Sequence, residues 1–227
     1  MRISAKMIGT PSGGYSFFSI LLYTPNEIVV KEKQRMSHFF AYLSRMKHIK
    51  RWGLMRNTQE ENIQEHSLQT AMIAHALAII RNRLFDGSVD AERVMAFAVY
   101  HEAGEVITGD LATPIKYFNP EIKTAYKAIE ALAVEKLLGM LPQELKSEYE
   151  GLLELQSASE EEHAIVKAAD KICAYLKCVE ELKAGNSEFK KAKATIEKDL
   201  KQSPLPEVQY FMKEFTPSFS LTLDELN

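Results

Sequence analysis

Cysteine is scarce in this chain. The two present, Cys173 and Cys178, lie five positions apart on a stretch of helical pattern, so they neither face each other nor form a C-x-x-C pair. That excludes a disulfide framework, and two free thiols suit a reducing cytosol. Positive charge is not in surplus either: 28 Lys and Arg against 31 Asp and Glu leave a net charge of -3. A nucleic-acid polymer needs a broad basic field, which this chain lacks, whereas a small anion needs only a local cationic site. No apolar run approaches the roughly 20 residues of a membrane-spanning helix, so no membrane partner is expected. Strand-like alternation is rare and no internal repeat is found, which argues against sheet and solenoid architectures.

What is there is apolar and helical. With 227 residues and 46% hydrophobic content, the chain can bury one full core. Residues 1–35 read differently from the remainder: turn formers flank a short apolar centre, and no small-residue cleavage site follows the Ile20–Leu22 run. They are read as an extension outside the core, with Met36 as the natural start and residues 36–227 as the domain.

From Met36 on, Ser37 is read as capping a helix through Phe39, Phe40, Leu43 and Met46. A second helix is expected from about Thr58 to Arg83, where Ile63, His66, Thr70, Ile73, Leu77 and Ile80 form one stripe. Asp90 caps a third, on which Val94, Phe97 and Ala98 precede His101. A fourth carries Ile122, Ile129, Leu132, Leu137 and Leu138. Ser159 opens a long helix with Asp170 at the edge of its apolar arc, and two helical segments, 187–201 and 207–215, follow. The fold expected is all-α.

Two imidazoles, His66 and His101, and the carboxylate of Asp170 thus face the interior from three helices, with Glu102 adjacent to His101. Each alone is more often a satisfied core residue than a ligand. Together they offer two nitrogens and two oxygens, a set suited to one divalent cation such as Co, Mn or Zn. Glu105 and Asp110 add two acids just beyond.

The order His, His-acid, Asp, all on helices, resembles the HD-domain metal-dependent phosphohydrolases. The runs SHFFAYLSRMKHIKRWGLMRN, ENIQEHSLQTAMIAHAL, GDLATPIKYFN and KAADKICAYLKC resemble, more narrowly, the bacterial HD-domain 5′-deoxynucleotidases. This resemblance implies a single-domain helical bundle acting on deoxyribonucleoside 5′-monophosphates, and a homodimer. It implies His66, His101, Glu102 and Asp170 as metal ligands and Glu105 as the acid/base residue. Arg51 would orient the phosphate, Trp52 would line the site, and Asp110 would contact the sugar. Thr113, Pro114, Ile115 and Lys116 would line the nucleotide pocket.

The chain departs from the family pattern at one ligand: it reads HEAGEV where the pattern reads HDASEV, so Glu102 stands for aspartate. The extra methylene leaves two other readings open. One is a nucleotide- or metal-binding protein with weakened catalysis; the other is an HD phosphohydrolase of different nucleotide specificity.

Overall fold

The computed structural model describes residues 21–24, 27–30, 36–116, 118–154 and 157–226. The chain divides into two compact units, Met1–Ser37 and His38–Asn227. In the first, β1 (Leu21–Thr24) and β2 (Glu27–Val30) pair antiparallel, Leu21 opposite Val30 and Thr24 opposite Glu27. The remainder of the segment expected to lie outside the core falls outside the described residues.

The second unit is built on two long capped helices. In α2 (Ile63–Leu84), the Asn62 side chain accepts from the backbone N–H groups of Gln64 and Glu65, while the Glu65 carboxylate accepts from Asn62 N–H. This reciprocal cap satisfies N–H groups that a helix start otherwise leaves unpaired, and its loss costs about 1 kcal/mol. In α8 (Glu160–Lys183), Ser159 and Glu162 form the same device. The expected start of α2 at Thr58 is therefore corrected to Ile63, because residues 51–62 are held as a loop by side chains from α8.

The short helix α1 (Phe39–Leu43) continues into a 3₁₀ turn, Ser44–His48. It starts from His38, one residue later than the expected Ser37 cap, with no side-chain capping bond. Asp90 does cap α3 (Ala91–Tyr100), accepting from Arg93 N–H at 3.0 Å. Then come α4 (Glu105–Thr108), α5 (Thr113–Lys116), α6 (Pro120–Leu138) and α7 (Gln143–Leu153). After α8 follow a 3₁₀ turn (Ser187–Phe189), α9 (Lys190–Lys201) and α10 (Pro206–Glu214).

One apolar cluster joins the stripes of α2, α3 and α8 to Leu200, Val208 and Phe211. A second gathers Phe39, Met46, Ile63, Ala103, Val106, Leu137 and Leu153. Each fully buried leucine or phenylalanine contributes about 1.5–3 kcal/mol. The expected apolar face of α6 is corrected: Tyr126, Ala133, Leu137 and Leu138 are buried, whereas Ile129 and Leu132 are 50% and 63% exposed. His66, His101 and Asp170 are delivered from α2, the end of α3 and α8.

Candidate metal and phosphate site

His66 is fully buried, and its Nε2 lies 3.1 Å from Asp170 Oδ1 and 3.4 Å from Thr70 Oγ1. His101 sits at the C-cap of α3, its Nδ1 2.7 Å from the Ala98 carbonyl oxygen. A carbonyl only accepts, so Nδ1 carries the proton and Nε2 presents a lone pair. Burial lowers the pKa of His101 and outweighs the pull of Glu102 and Asp170, which keeps the ring neutral. Its Nε2 lies 3.3 Å from Glu102 Oε1 yet lacks hydrogen-bond geometry and a partner.

One donor atom from each of His66, His101, Glu102 and Asp170 lies within 4.8 Å of the other three. A buried imidazole lone pair with no partner, facing two carboxylates, fits a divalent cation and has little other physical use. The four expected ligands are therefore brought together by three elements that are distant in sequence.

The carboxyl groups divide by protonation. Burial opposes ionisation of Asp170, but the hydrogen bond from His66 and both imidazoles hold it well below the usual carboxylate range. Burial opposes ionisation of Glu102 too, yet His101 and a hydrogen bond with Glu105 bring it down to about 2. Glu105 is pushed up to about 11, first by burial, then by the charge of Glu102 and the hydrogen bond between them, then by Asp110. Glu105 is thus a carboxylic acid at neutral pH, beside an ionised ligand set. Its Oε2 is buried with no hydrogen-bond partner.

The loop of residues 51–62 brings Arg51 to this cluster. Its guanidinium is mostly buried and feels the charges of Glu61, Glu102, Asp170 and Asp110, which raise its pKa against the opposing effect of burial. Trp52 has φ 60, a left-handed conformation that costs a bulky residue about 1–3 kcal/mol. That cost is met by a dense anchor. The Thr58 N–H and hydroxyl donate to Glu181 Oε2 at 2.9 and 2.7 Å, and Lys177 Nζ donates to the Gln59 carbonyl and, at 2.5 Å, to Glu181 Oε1. Asn186 adds a further donor to Glu181 at 2.8 Å.

Burial alone would raise the Glu181 carboxyl; the donors from Lys177, Thr58 and Asn186 win and depress it. Since the folded pKa lies below the unfolded one, this contribution to stability is present above a glutamate's ordinary value of 4.5 and lost as pH falls below it. Glu181→Ala leaves the buried Lys177 ammonium without its counter-charge and is expected to cost about 3–5 kcal/mol. Urea denaturation at neutral pH measures this, and the deficit should shrink towards acid pH.

The remaining expected site residues lie beyond Gly109, whose φ of 72 is a left-handed conformation that glycine adopts readily. Burial, and then Glu102, raise the pKa of Asp110 against the opposing pull of Arg51. Thr113, Pro114 and Ile115 are exposed on α5, so the structure opens that face to solvent. Lys116 donates to Glu130 Oε1 at 2.8 Å and sits 4.7 Å from the Tyr126 ring centroid, tied to α6. Gly104 is not needed by the fold: a Cβ there would meet only ordinary contacts, the nearest Val134 at 3.6 Å. The departure at 104 from the family pattern is therefore sterically neutral.

Residues 38–219 match the family described as 5′-deoxynucleotidase YfbR-like. The chain belongs to that family. A 5′-deoxynucleotidase of Yersinia pestis (strain Pestoides F) is 60% identical over 192 residues, 85% of this chain and 98% of the relative. A 5′-deoxynucleotidase of Yersinia pseudotuberculosis serotype O:3 (strain YPIII) is equally similar, 60% over 192 residues. Among solved structures, an HD-domain phosphohydrolase from Listeria innocua superposes with a TM-score of 0.71 at 23% identity, covering 80% of this chain and 88% of that one. The cyanophage S-2L HD phosphohydrolase DatZ does so at 0.56 and 24% identity, covering 80% and 96%. At such identities the likeness shows the fold alone, an all-α HD domain, in agreement with the expected architecture.

Sequence reasoning missed Glu61, Lys177 and Glu181. All three sit in charged stretches of ordinary helix-surface appearance, and only their long-range partners distinguish them.

Proposed function

We propose that this chain is a metal-dependent 5′-deoxynucleotidase, which hydrolyses deoxyribonucleoside 5′-monophosphates to deoxynucleoside and phosphate. The observation that carries this reading is the convergence of four metal-type donors beside a buried arginine and a protonated glutamic acid. The 60% identical relatives carry the name 5′-deoxynucleotidase, and the cyanophage enzyme of the same fold is described with dA and one catalytic Zn²⁺. A divalent cation held by His66, His101, Glu102 and Asp170 would supply Lewis acidity and an activated water at the phosphoryl group.

The chain's own residues supply the rest. Arg51 offers a planar fork of donors to the phosphoryl oxygens as charge builds on them. Glu105, holding its proton among carboxylates, protonates the leaving nucleoside oxygen in this reading. Trp52 bounds the site on the Arg51 side, and Asp110 accepts from the sugar 3′-hydroxyl. Deoxyribose selection follows if that contact leaves no room for a 2′-hydroxyl. Thr113, Pro114, Ile115 and Lys116 line the nucleotide pocket.

Phosphate release from matched deoxy- and ribonucleoside monophosphates, each with Co, Mn, Mg or Zn added, tests the proposal. Release from the deoxy series is the expected result; equal rates on both sugars would remove the selectivity alone.

The homodimer implied by the resemblance is supported by apolar residues left exposed on adjoining helices: Leu68 and Met72 of α2, 60% and 59% exposed, and Met95 and Val99 of α3. Sedimentation equilibrium reads the stoichiometry, and Met72→Glu should shift it to monomer.

Glu102 reaches the cluster despite its extra methylene, its Oε1 3.3 Å from His101 Nε2 and its carboxylate hydrogen-bonded with Glu105. Glu102→Asp withdraws it from both, and is expected to lower metal affinity and kcat/KM together by about tenfold, given how little displacement such sites tolerate. Unchanged metal content and rate would mean that the site adapts to either length.

A further inference from the structure

The loop that carries Arg51 begins and ends as a short antiparallel ladder. Lys50 bridges Asn62, Arg51 N–H donates to the Glu61 carbonyl at 2.9 Å, and Ile63 N–H donates to the Ile49 carbonyl at 3.0 Å. In that register Arg51 and Glu61 stand directly opposite one another, so their side chains leave the ladder on the same face. There Glu61 Oε2 accepts two hydrogen bonds at once, from Arg51 Nη1 at 3.0 Å and from Trp52 Nε1 at 3.0 Å. The arginine and glutamate side chains are 13% and 12% exposed. The indole, on its left-handed backbone, also leans on the fully buried Phe189 ring, with centroids 5.3 Å apart.

We infer that Glu61 is a positioning residue for phosphate-ester hydrolysis, fixing the Arg51 guanidinium and the Trp52 indole as one unit. This rests on the phosphatase reading above. The single oxygen that both groups share sets their mutual orientation. The pair consumes one of the five guanidinium donors and leaves the others free for a phosphoryl group.

A purely electrostatic role for Glu61 makes the opposite prediction. Its negative charge beside Arg51 weakens the local attraction for a phosphate dianion, so removing it would tighten phosphate binding if charge alone mattered. Positioning predicts the reverse, because a guanidinium free to swing presents its fork in the right orientation only part of the time.

The test uses Glu61→Ala and Glu61→Gln in the metal-loaded full chain. Trp52 is the only tryptophan, so its emission reports on this loop without interference. Glu61→Ala should red-shift that emission, lower kcat/KM for a deoxynucleoside monophosphate by about 10- to 100-fold and weaken inhibition by inorganic phosphate, with metal content unchanged. Glu61→Gln, whose amide oxygen can accept the same two bonds, should restore the emission and most of kcat/KM. Tighter phosphate binding in Glu61→Ala, or unchanged kinetics and emission, overturns the inference. If Glu61→Ala does not fold, Glu61→Asp takes its place with the same expectations.

Should the wild-type chain release no phosphate from any nucleotide, the phosphatase reading falls by itself. Trp52 emission and inorganic-phosphate affinity then decide the positioning role alone. A shifted emission with weaker phosphate binding in Glu61→Ala sustains it, and no change in either overturns it.

Discussion

An Asp170→Ala protein is expected to emerge from gel filtration with little bound metal and with kcat/KM reduced by at least about 1,000-fold, beyond the roughly 10–100-fold cost of disturbing an outer metal-site partner. The reason is twofold. Asp170 supplies one of the four converging donors, and it is also the hydrogen-bond partner of His66 Nε2 at 3.1 Å. Its loss removes a negative ligand and the hydrogen bond that orients the His66 imidazole. Elemental analysis beside the rate measurement separates the two consequences. Full metal content with a collapsed rate would mean that Asp170 acts on the phosphoryl group and not on a cation. Full content with full rate would remove it from the site altogether.

Glu105→Gln is the second large effect, and it should separate chemistry from metal binding. The amide keeps the shape of the protonated acid and can still donate to Glu102, so metal content should hold while kcat/KM falls by about 100- to 10,000-fold. An aryl phosphate with a good leaving group needs no proton on its departing oxygen, so on that substrate the loss should be much smaller. An equal loss on both substrates would mean that Glu105 is not the proton donor.

The same group gives a pH signature in the metal-free protein. Its folded pKa is pushed up to about 11, above the unfolded value, so the folded state holds a proton that the unfolded chain gives up. Stability from this group is therefore full below the carboxyl's ordinary value of 4.5 and is lost progressively as pH rises towards 11. Glu105→Gln cannot lose that proton, and its metal-free melting temperature should decline less from about pH 5 to about pH 9 than the wild type's. Parallel declines would place the proton elsewhere.

Much of the candidate site was legible before any fold was known, because metal-type ligands on helices announce themselves by face. His66 falls in the stripe of Thr70, Ile73, Leu77 and Ile80, all buried, and an imidazole on such a stripe must point inward. His101 follows Val94, Phe97 and Ala98 in the same way. Arg51 and Trp52 are legible only through resemblance, since a loop residue has no periodicity to fix its direction. The start of α2 is not legible for a related reason: residues 58–62 have the composition of a first helical turn, and what holds them out of the helix is a carboxylate and an ammonium more than 110 positions away. The buried face of α6 is not legible either, because Ile129 and Leu132 are as apolar as core residues, and periodicity cannot say which apolar residues stay exposed.

The amino-acid order by itself determined that this chain is helical, that two imidazoles and a carboxylate face inward, and that a motif-matched arginine precedes them. These are local consequences of a 3.6-residue period and of side-chain chemistry. Only the tertiary structure decided that His66, His101, Glu102 and Asp170 bring donor atoms within 4.8 Å of one another, and that Glu61 grips Arg51 and Trp52 together. It also decided that Glu105, unlike its neighbour Glu102, keeps its proton. Distances and proton affinities depend on which charges are buried side by side, and that is set by packing between elements far apart along the chain.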